Sequence, residues 1–393
     1  MSSISPIPLV IVGIACRLPG DATNLEKLWD LLANGKSAWS KAPADRWNEE
    51  ASLHPNPDDT KGTHNHVGGH YLKQDIGEFD AGFFNVLPQE AAAMGTQQRL
   101  LLETTYEALG KRRDLPGGNL KVKHSRLQGH VSDRTQDYDR NVYKDMMSIP
   151  KYHVTGKGDA ILANGLSHLF DLNGPSLTLI LSLDHMISMS NLRMLNADGR
   201  SYSFDSRGAG YGRGESIATL VIKRLDDAIR ANDPIRAVLL DAGVNQDGHT
   251  AGITLPSGAA QKALERKTWA TSKRTGTLAG DSAELKGISQ VFCQDRDPDS
   301  PLFVGSIKSN IGHLGSASHL ATMIKSILIL KHGAIPPNVN FEHPRANLNL
   351  EQKKIKVPET LEPWPQPGIA RISVNSFGYG GTTHMPFWSG LRG

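Results

Sequence analysis

Cysteine is scarce in this sequence: its 393 residues include two, Cys16 and Cys293. Two thiols cannot build the disulfide framework of a small secreted domain. An excess of charge of one sign is also missing, with 43 Lys and Arg against 40 Asp and Glu and a net charge of +3. That balance provides no electrostatic footprint for nucleic acid. The short run Lys111-Arg112-Arg113 reads as a solvated loop. Long apolar runs are lacking too, since no segment reaches the roughly 20 residues a membrane helix needs. The opening MSSISPIPLVIVGIACRLPG has no basic leader and reads as a buried strand, not a signal peptide. A soluble cytosolic protein is therefore expected, with no nucleic-acid or membrane partner.

What is present points to layered α/β structure. Hydrophobic residues make up 38%, enough for a substantial core, and 39 Gly with 22 Pro imply many tight turns. Residues 8–15 (PLVIVGIA) are continuously apolar, as in a strand buried on both faces. Asn24 can cap a helix over 24–34 that carries Leu25, Leu28, Leu31 and Leu32. Residues 41–82 lack apolar periodicity and read as a long surface excursion. Its His54, His64, His66 and His70 have no Cys or paired acid to complete a zinc set. Residues 88–109 read as one helix from Pro88 to a Gly110 stop. A further helix is expected at 160–170 and a strand at 177–183. Beyond these come strands at 217–222, 235–244, 302–307 and 370–380, and helices at 258–267 and 317–331. Leu320, Ile324, Ile327 and Leu330 share the inward face of the last helix. Strands and helices alternate in both halves of the chain.

The most specific local feature is Lys308-Ser309-Asn310-Ile311-Gly312-His313-Leu314. It joins an apolar strand to the 317–331 helix, with His313 near a helix N-terminus that favours a neutral imidazole. Such an imidazole can donate a hydrogen bond to a developing enolate or oxyanion. Lys308 can neutralise a nearby carboxylate. A structural histidine in a tight turn is the alternative these residues leave open.

The longer segments carry a resemblance. IVGIACRLPG at 11–20, FDAGFFNVLPQEAAAM at 79–94, QQRLLLETTYEAL at 97–109 and SMSNLRMLNADGRSYSFDSRGAGYGRGE at 188–215 are distinctive. So are QDGHTAGITLPSG at 246–258, KSNIGHL at 308–314, GAIPPNVNFEHP at 333–344 and SVNSFGYGGT at 373–382. Together they resemble the ketosynthase (β-ketoacyl synthase) domain of fungal, highly reducing iterative polyketide synthases. The resemblance implies a thiolase-like fold of two related halves in an α/β/α/β/α arrangement. The halves are 1–216 and 217–393, joined near 216–232. It implies a decarboxylative condensation in which a cysteine accepts an acyl group from a phosphopantetheine-bearing acyl carrier protein while two histidines promote malonyl decarboxylation. It also implies a homodimer, no directly bound cofactor and no metal. His313 and Lys308 match the family's catalytic His and supporting Lys. Thr275, Thr277, Asn310 and Phe377 match positions of the substrate pocket.

The departures from the family pattern bear most on function. After Gly174-Pro175-Ser176-Leu177-Thr178 the family has a strand, then Asp-Thr-Ala-Cys-Ser-Ser and a long helix. This chain passes directly into Leu179-Ile180-Leu181-Ser182-Leu183-Asp184-His185-Met186. Roughly 35 to 40 residues, the size of a strand–helix–strand unit, are absent near 178–179, so the first half is expected to be incomplete. A shorter stretch is missing near 266–275, and Lys273 stands where the first catalytic His belongs. Gly315 and His319 replace a usual Glu and Gly, and the ending MPFWSGLRG does not resemble the family's last strand. Cys16 and Cys293 lie in other matched segments, so neither supplies the nucleophile. Without it there is no acyl-enzyme, and catalytic inactivity is expected. The alternatives are a working polyketide synthase component, a noncatalytic accessory protein, a truncated product, and a malonyl-thioester decarboxylase using His313 and Lys308. A stand-alone product would need the other synthase activities from elsewhere, and only weak self-association is expected.

Overall fold

The computed structural model describes residues 8–56, 58, 61–110, 126–127, 178–179, 183–247, 257–268, 278–294, 296–365, 370–377 and 382–389. The helix expected at 160–170 and the positions Lys273, Thr275 and Thr277 lie outside them. Nine helices are described: α1 (Leu25–Ala33), α2 (Pro88–Ala93), α3 (Thr96–Leu109), α4 (Leu183–Asn191), α5 (Leu225–Arg230), α6 (Gly258–Thr268), α7 (Leu278–Phe292), α8 (Lys308–Ile311) and α9 (Ser318–His332). None of them is long and apolar enough to cross a membrane.

The apolar run at the start forms β1 (Leu9–Arg17), which lies inside an eight-stranded sheet. β1 pairs antiparallel with β6 (Ser216–Arg224) from Leu9↔Arg224 to Arg17↔Ile217, with a bulge between Ile11 and Gly13. On its other side it meets β7 (Ala237–Gln246) only at Leu9↔Leu239, Val10↔Val238 and Ile11↔Ala237. β7 then pairs along its length with β14 (Thr382–Ser389), and β14 with β12 (Arg371–Ser373) and β13 (Ser376–Phe377). The short strands β4 (Arg126–Leu127) and β5 (Thr178–Leu179) pair with β6. Two ladders are thus joined through a three-position seam into one sheet.

Alternation along β6 explains what covers the sheet. Ile217 and Val221 pack with Leu100, Leu101 and Ala108 of α3. Thr219 lies on the same side, its hydroxyl 3.2 Å from that of Thr104. Ala218, Leu220 and Ile222 point the other way and join the cluster built from α1 and α9. The predicted Leu320, Ile324, Ile327 and Leu330 are all buried there. Lys331 and His332 at the end of α9 are exposed, but most of the rest of the helix is buried as well, Thr322 and Ser326 included. Their hydroxyls donate at 2.8 Å to the carbonyls of Ser318 and Thr322, which satisfies them inside an apolar surround. α6 lies against β7 and β14. On the opposite face of β7, Leu240 is 44% and Val244 60% exposed.

Several expectations are corrected. Residues 41–82 are a surface excursion only in part: the described residues of 41–63 and 73–82 are nearly all exposed or half-buried, but His64, His66, His70, Tyr71 and Leu72 are buried, and β2 (Trp39–Ser40) pairs with β3 (Gly69–His70). The single helix over 88–109 is two, because Met94 and Gly95 take extended backbone angles between α2 and α3. Of the strand expected over 177–183, Thr178–Leu179 form β5 and Leu183 instead opens α4, while 177 and 180–182 lie outside the described residues. The strand over 302–307 is only β8 (Leu302–Phe303), outside the main sheet and parallel to Ile355–Lys356. Lys308 onward is already helical. The unfamiliar C-terminal segment nevertheless forms the long strand β14.

Candidate functional site

The turn around His313 is built by close backbone contact. Gly312 has φ +72°, and a Cβ there would lie 2.6 Å from Nδ1 of His70. Only glycine fits both conditions. The segment Gly212-Arg213-Gly214 runs between His70 and His313, bridged to both. His313 N–H donates to the Gly212 carbonyl at 2.7 Å, and Gly214 N–H donates back to the His313 carbonyl at 3.2 Å. His70 N–H donates to the Arg213 carbonyl at 2.9 Å. A Cβ on Gly212 would fall 2.0 Å from the Gly199 oxygen, and one on Gly214 would fall 2.3 Å from the Ile311 oxygen. Arg213 is therefore the one side chain this stretch can carry. Glu215 continues the segment into the interior, where it accepts from Arg46 at 2.7 and 3.0 Å and from the Leu72 amide at 3.0 Å.

The ring of His313 is half-buried and held at Nδ1. The Gly315 amide, in a residue at φ +57°, donates to Nδ1 at 2.9 Å. Arg213 Nη1 approaches the same nitrogen at 3.4 Å and Ser318 Oγ at 3.5 Å. The Tyr211 ring lies over the imidazole at 4.6 Å, tilted by 37°. An amide and a guanidinium only donate, so Nδ1 carries the lone pair and the proton resides on Nε2. The sequence reading placed His313 close to a helix N-terminus. Here a short 3₁₀ turn, Gly315–Ala317, intervenes before α9.

The other sequence-derived positions fall as follows. Lys308 opens α8 and is 5% exposed. Asn310 is buried and turned toward the loop after α1, its amide donating to the Lys36 carbonyl at 3.0 Å and its own carbonyl accepting from Ala38 at 2.8 Å. Phe377 lies on β13, opposite Thr383. His319, in the first turn of α9, is half-buried. Arg213, Tyr211 and Ser318 are contributors that the sequence reading gave no role. A lone Arg between two glycines was the available signal. Among the described residues, no group of three or more His, Cys, Asp or Glu is placed to hold a metal ion.

Both thiols are structural. Cys16 is fully buried on β1, and burial pushes its thiol up to about 12, against the opposing pull of Arg17. Cys293 is 4% exposed and packs with Leu285, Ile288 and Phe341. A thiolate, the nucleophilic form, is disfavoured in such surroundings.

Sheet, helices and the Lys-Ser-Asn-Ile-Gly-His turn define a protein of the ketosynthase class, with the thiolase-like fold. The ketosynthase from module 6 of the bacillaene synthase of Bacillus subtilis 168 superimposes with a TM-score of 0.82 at 28% identity, covering 98% of this chain and 72% of that one. The oxazolomycin ketosynthase domain of Streptomyces albus JA3453 shares the fold, with a TM-score of 0.85 at 23% identity over 98% of this chain and 74% of that one. The chain belongs to the beta-ketoacyl synthase family. The N-terminal domain profile matches residues 7–180 and 178–228, and the C-terminal domain profile matches 236–342. β6 therefore falls within the N-terminal match.

The chain is of the type found in fungal highly reducing polyketide synthases. It is 62% identical to the highly reducing polyketide synthase sdnO of Sordaria araneosa, over 96% of this chain and 14% of that protein. It is 61% identical to SAT13 of Stachybotrys chartarum, over 97% of this chain and 18% of that protein. The chain thus spans less than a fifth of the length of these relatives. The alignment with the Sordaria protein runs over 423 positions, more than the 393 residues present here, so that relative has residues where this chain has none. The N-terminal profile matches in two pieces that meet at 178–180.

Proposed function

We propose that this chain is a ketosynthase-derived domain that does not catalyse condensation. The observation that carries the reading is the absence of an acyl acceptor. The sequence has two cysteines, both are in the hydrophobic interior, and one thiol is held strongly protonated. Without a covalent acyl-enzyme the condensation loses the step that divides it into two easier halves. Lys273, in place of the first histidine, does not replace it. An unperturbed ammonium is almost fully protonated at neutral pH, and acyl transfer to it would end in an inert amide.

What remains is an anion-stabilising corner. A neutral Nε2–H at His313, with Lys308 on the adjoining helix and Arg213 beside the ring, suits an enolate oxygen or a malonyl carboxylate. This favours malonyl-thioester decarboxylation as the second reading. The substrates in either case are phosphopantetheine-linked thioesters on an acyl carrier protein, with other polyketide synthase components as further partners. Thr275, Thr277, Asn310 and Phe377 belong to the proposed pocket by their match to the family, although the Asn310 amide faces Lys36. The halves 1–216 and 217–393 remain the proposed division. Self-association is proposed to be weak, since exposed Leu240 and Val244 on β7 and an incomplete first half favour non-specific association over a defined dimer.

The test is incubation with acyl- and malonyl-loaded carrier, followed by intact mass. No acyl adduct and no β-ketoacyl carrier is the expected result, and an adduct that turns over would overturn it. Conversion of malonyl to acetyl carrier, abolished in His313→Ala, would establish the decarboxylase reading.

A further inference from the structure

We infer that Arg213 is a positioning residue for His313. Its guanidinium acts with the Gly315 amide to hold the imidazole as the neutral Nε2–H tautomer, leaving Nε2 as the donor. The inference rests on the reading of His313 as the oxyanion-stabilising group.

Three observations converge. First, a neutral imidazole has one donor and one acceptor nitrogen, and the hydrogen bond at one fixes the role of the other. At Nδ1 the Gly315 amide arrives at 2.9 Å and Arg213 Nη1 at 3.4 Å, and neither can accept a proton bond. The amide makes the shorter bond. The guanidinium contributes a permanent positive charge, which opposes a proton on the nitrogen it faces.

Second, Arg213 is held in place. It is 5% exposed, and its backbone lies in register with His313 on one side and beside His70 on the other. Flanking glycines leave no space for any other side chain in the segment. An arginine fixed by backbone on both sides gives up little additional freedom in facing the ring.

Third, the opposite influence is distant from Nδ1. The groups on the elements packed around the turn are Tyr211 and Arg213 on the bridged segment, His70 on β3, Lys308 on α8 and His319 on α9. Among the described residues of these elements, none of the groups named is a carboxylate. Glu215, two residues along, is committed to Arg46 and the Leu72 amide.

The experiment is long-range ¹H–¹⁵N correlation on uniformly ¹⁵N-labelled full chain at pH 7, with His313 assigned by its loss in His313→Gln. The expected spectrum has a pyridine-type Nδ1 and a pyrrole-type Nε2. In Arg213→Leu the ratio of Nε2–H to Nδ1–H forms should fall by about tenfold or more, moving both shifts toward intermediate values. Arg213→Lys, which keeps the charge, should recover most of the wild-type spectrum. Circular dichroism establishes that each variant is folded. If Arg213→Leu does not fold, Arg213→Gln removes the charge while retaining a polar side chain of similar reach, and the same shift is expected. A wild-type Nδ1–H form, or an unchanged spectrum in a folded charge-removing variant, would overturn the inference. The readout needs no turnover. A correct tautomer result without malonyl decarboxylation would sink the decarboxylase reading and leave the role of Arg213 intact.

Discussion

Acid should destabilise this protein before its carboxylates begin to titrate, and the buried histidines of the 64–70 segment set the size of the effect. His66 is 1% exposed, and burial, reinforced by the neighbouring His64, lowers it to about 3. His70 is fully buried, and burial outweighs its bond to the Arg213 carbonyl, so it falls to about 4, with Arg200 adding to the depression. His64 shifts the same way for the same leading reason. In the unfolded chain a histidine titrates near 6.5. Between about pH 6.5 and the folded values, the unfolded state therefore binds protons that the native state excludes. Stability from these groups is complete above 6.5 and is lost as the pH falls through that window. At pH 5 the native rings are still neutral, so the unfolded value sets the cost. Each of His66 and His70 contributes about 2 kcal/mol of destabilisation between pH 7 and pH 5. Together they shift the unfolding equilibrium by about three orders of magnitude. The assay is urea unfolding followed by tryptophan fluorescence at half-unit pH steps. The His66→Gln/His70→Gln double variant should lose most of the pH dependence whatever its absolute stability. A free energy flat from pH 7 to 5 in the parent, or the same slope retained in the double variant, would refute the reasoning.

Three further outcomes are expected. Iodoacetamide should label neither Cys16 nor Cys293 in the native protein and both in urea, as read by peptide mass; rapid native labelling of either would contradict their burial. Ile324→Ala, at a fully buried position of α9, should cost about 2–5 kcal/mol through lost transfer energy and a residual cavity, with a lower urea midpoint and an unchanged slope. Glu215→Gln should cost of order 3 kcal/mol by leaving Arg46 short of its buried partner, and a loss below 1 kcal/mol would show the pair to be dispensable.

Continuous apolarity identified β1, and the spacing of Leu320, Ile324, Ile327 and Leu330 identified α9, because burial of a regular element leaves a period in the sequence. Asn24 identified the start of α1, and its side chain does accept from the Lys27 amide at 2.9 Å. The buried 64–72 stretch left no such trace. It is a non-periodic segment, HNHVGGHYL, held by contacts with residues 196–215 that are distant in sequence. The run at 302–307 misled because an apolar hexamer does not reveal whether it pairs or turns, and here only two of its residues pair. At the site, Lys308 and His313 were legible as a motif. The role of Arg213 arises from approach across about a hundred residues of chain, which no local pattern encodes, and that of Gly315 from a turn at positive φ that the motif does not spell out.

The seam between the two ladders gives α9 a particular standing. The β-ladder on the β6 side and the one on the β14 side share three paired positions, and α9 lies against strands of both. It is the rivet through the joint, and Trp29 of α1 stacks on its last residue, His332, at 4.1 Å. The His313 turn is the lead-in to this rivet, and its partner segment 212–215 is the lead-in to β6. A separation of the ladders that drew α9 away from β6 would therefore also move the imidazole relative to Arg213. One ring resonance, observed for its chemistry, would also report whether the two parts of the sheet are still fastened together.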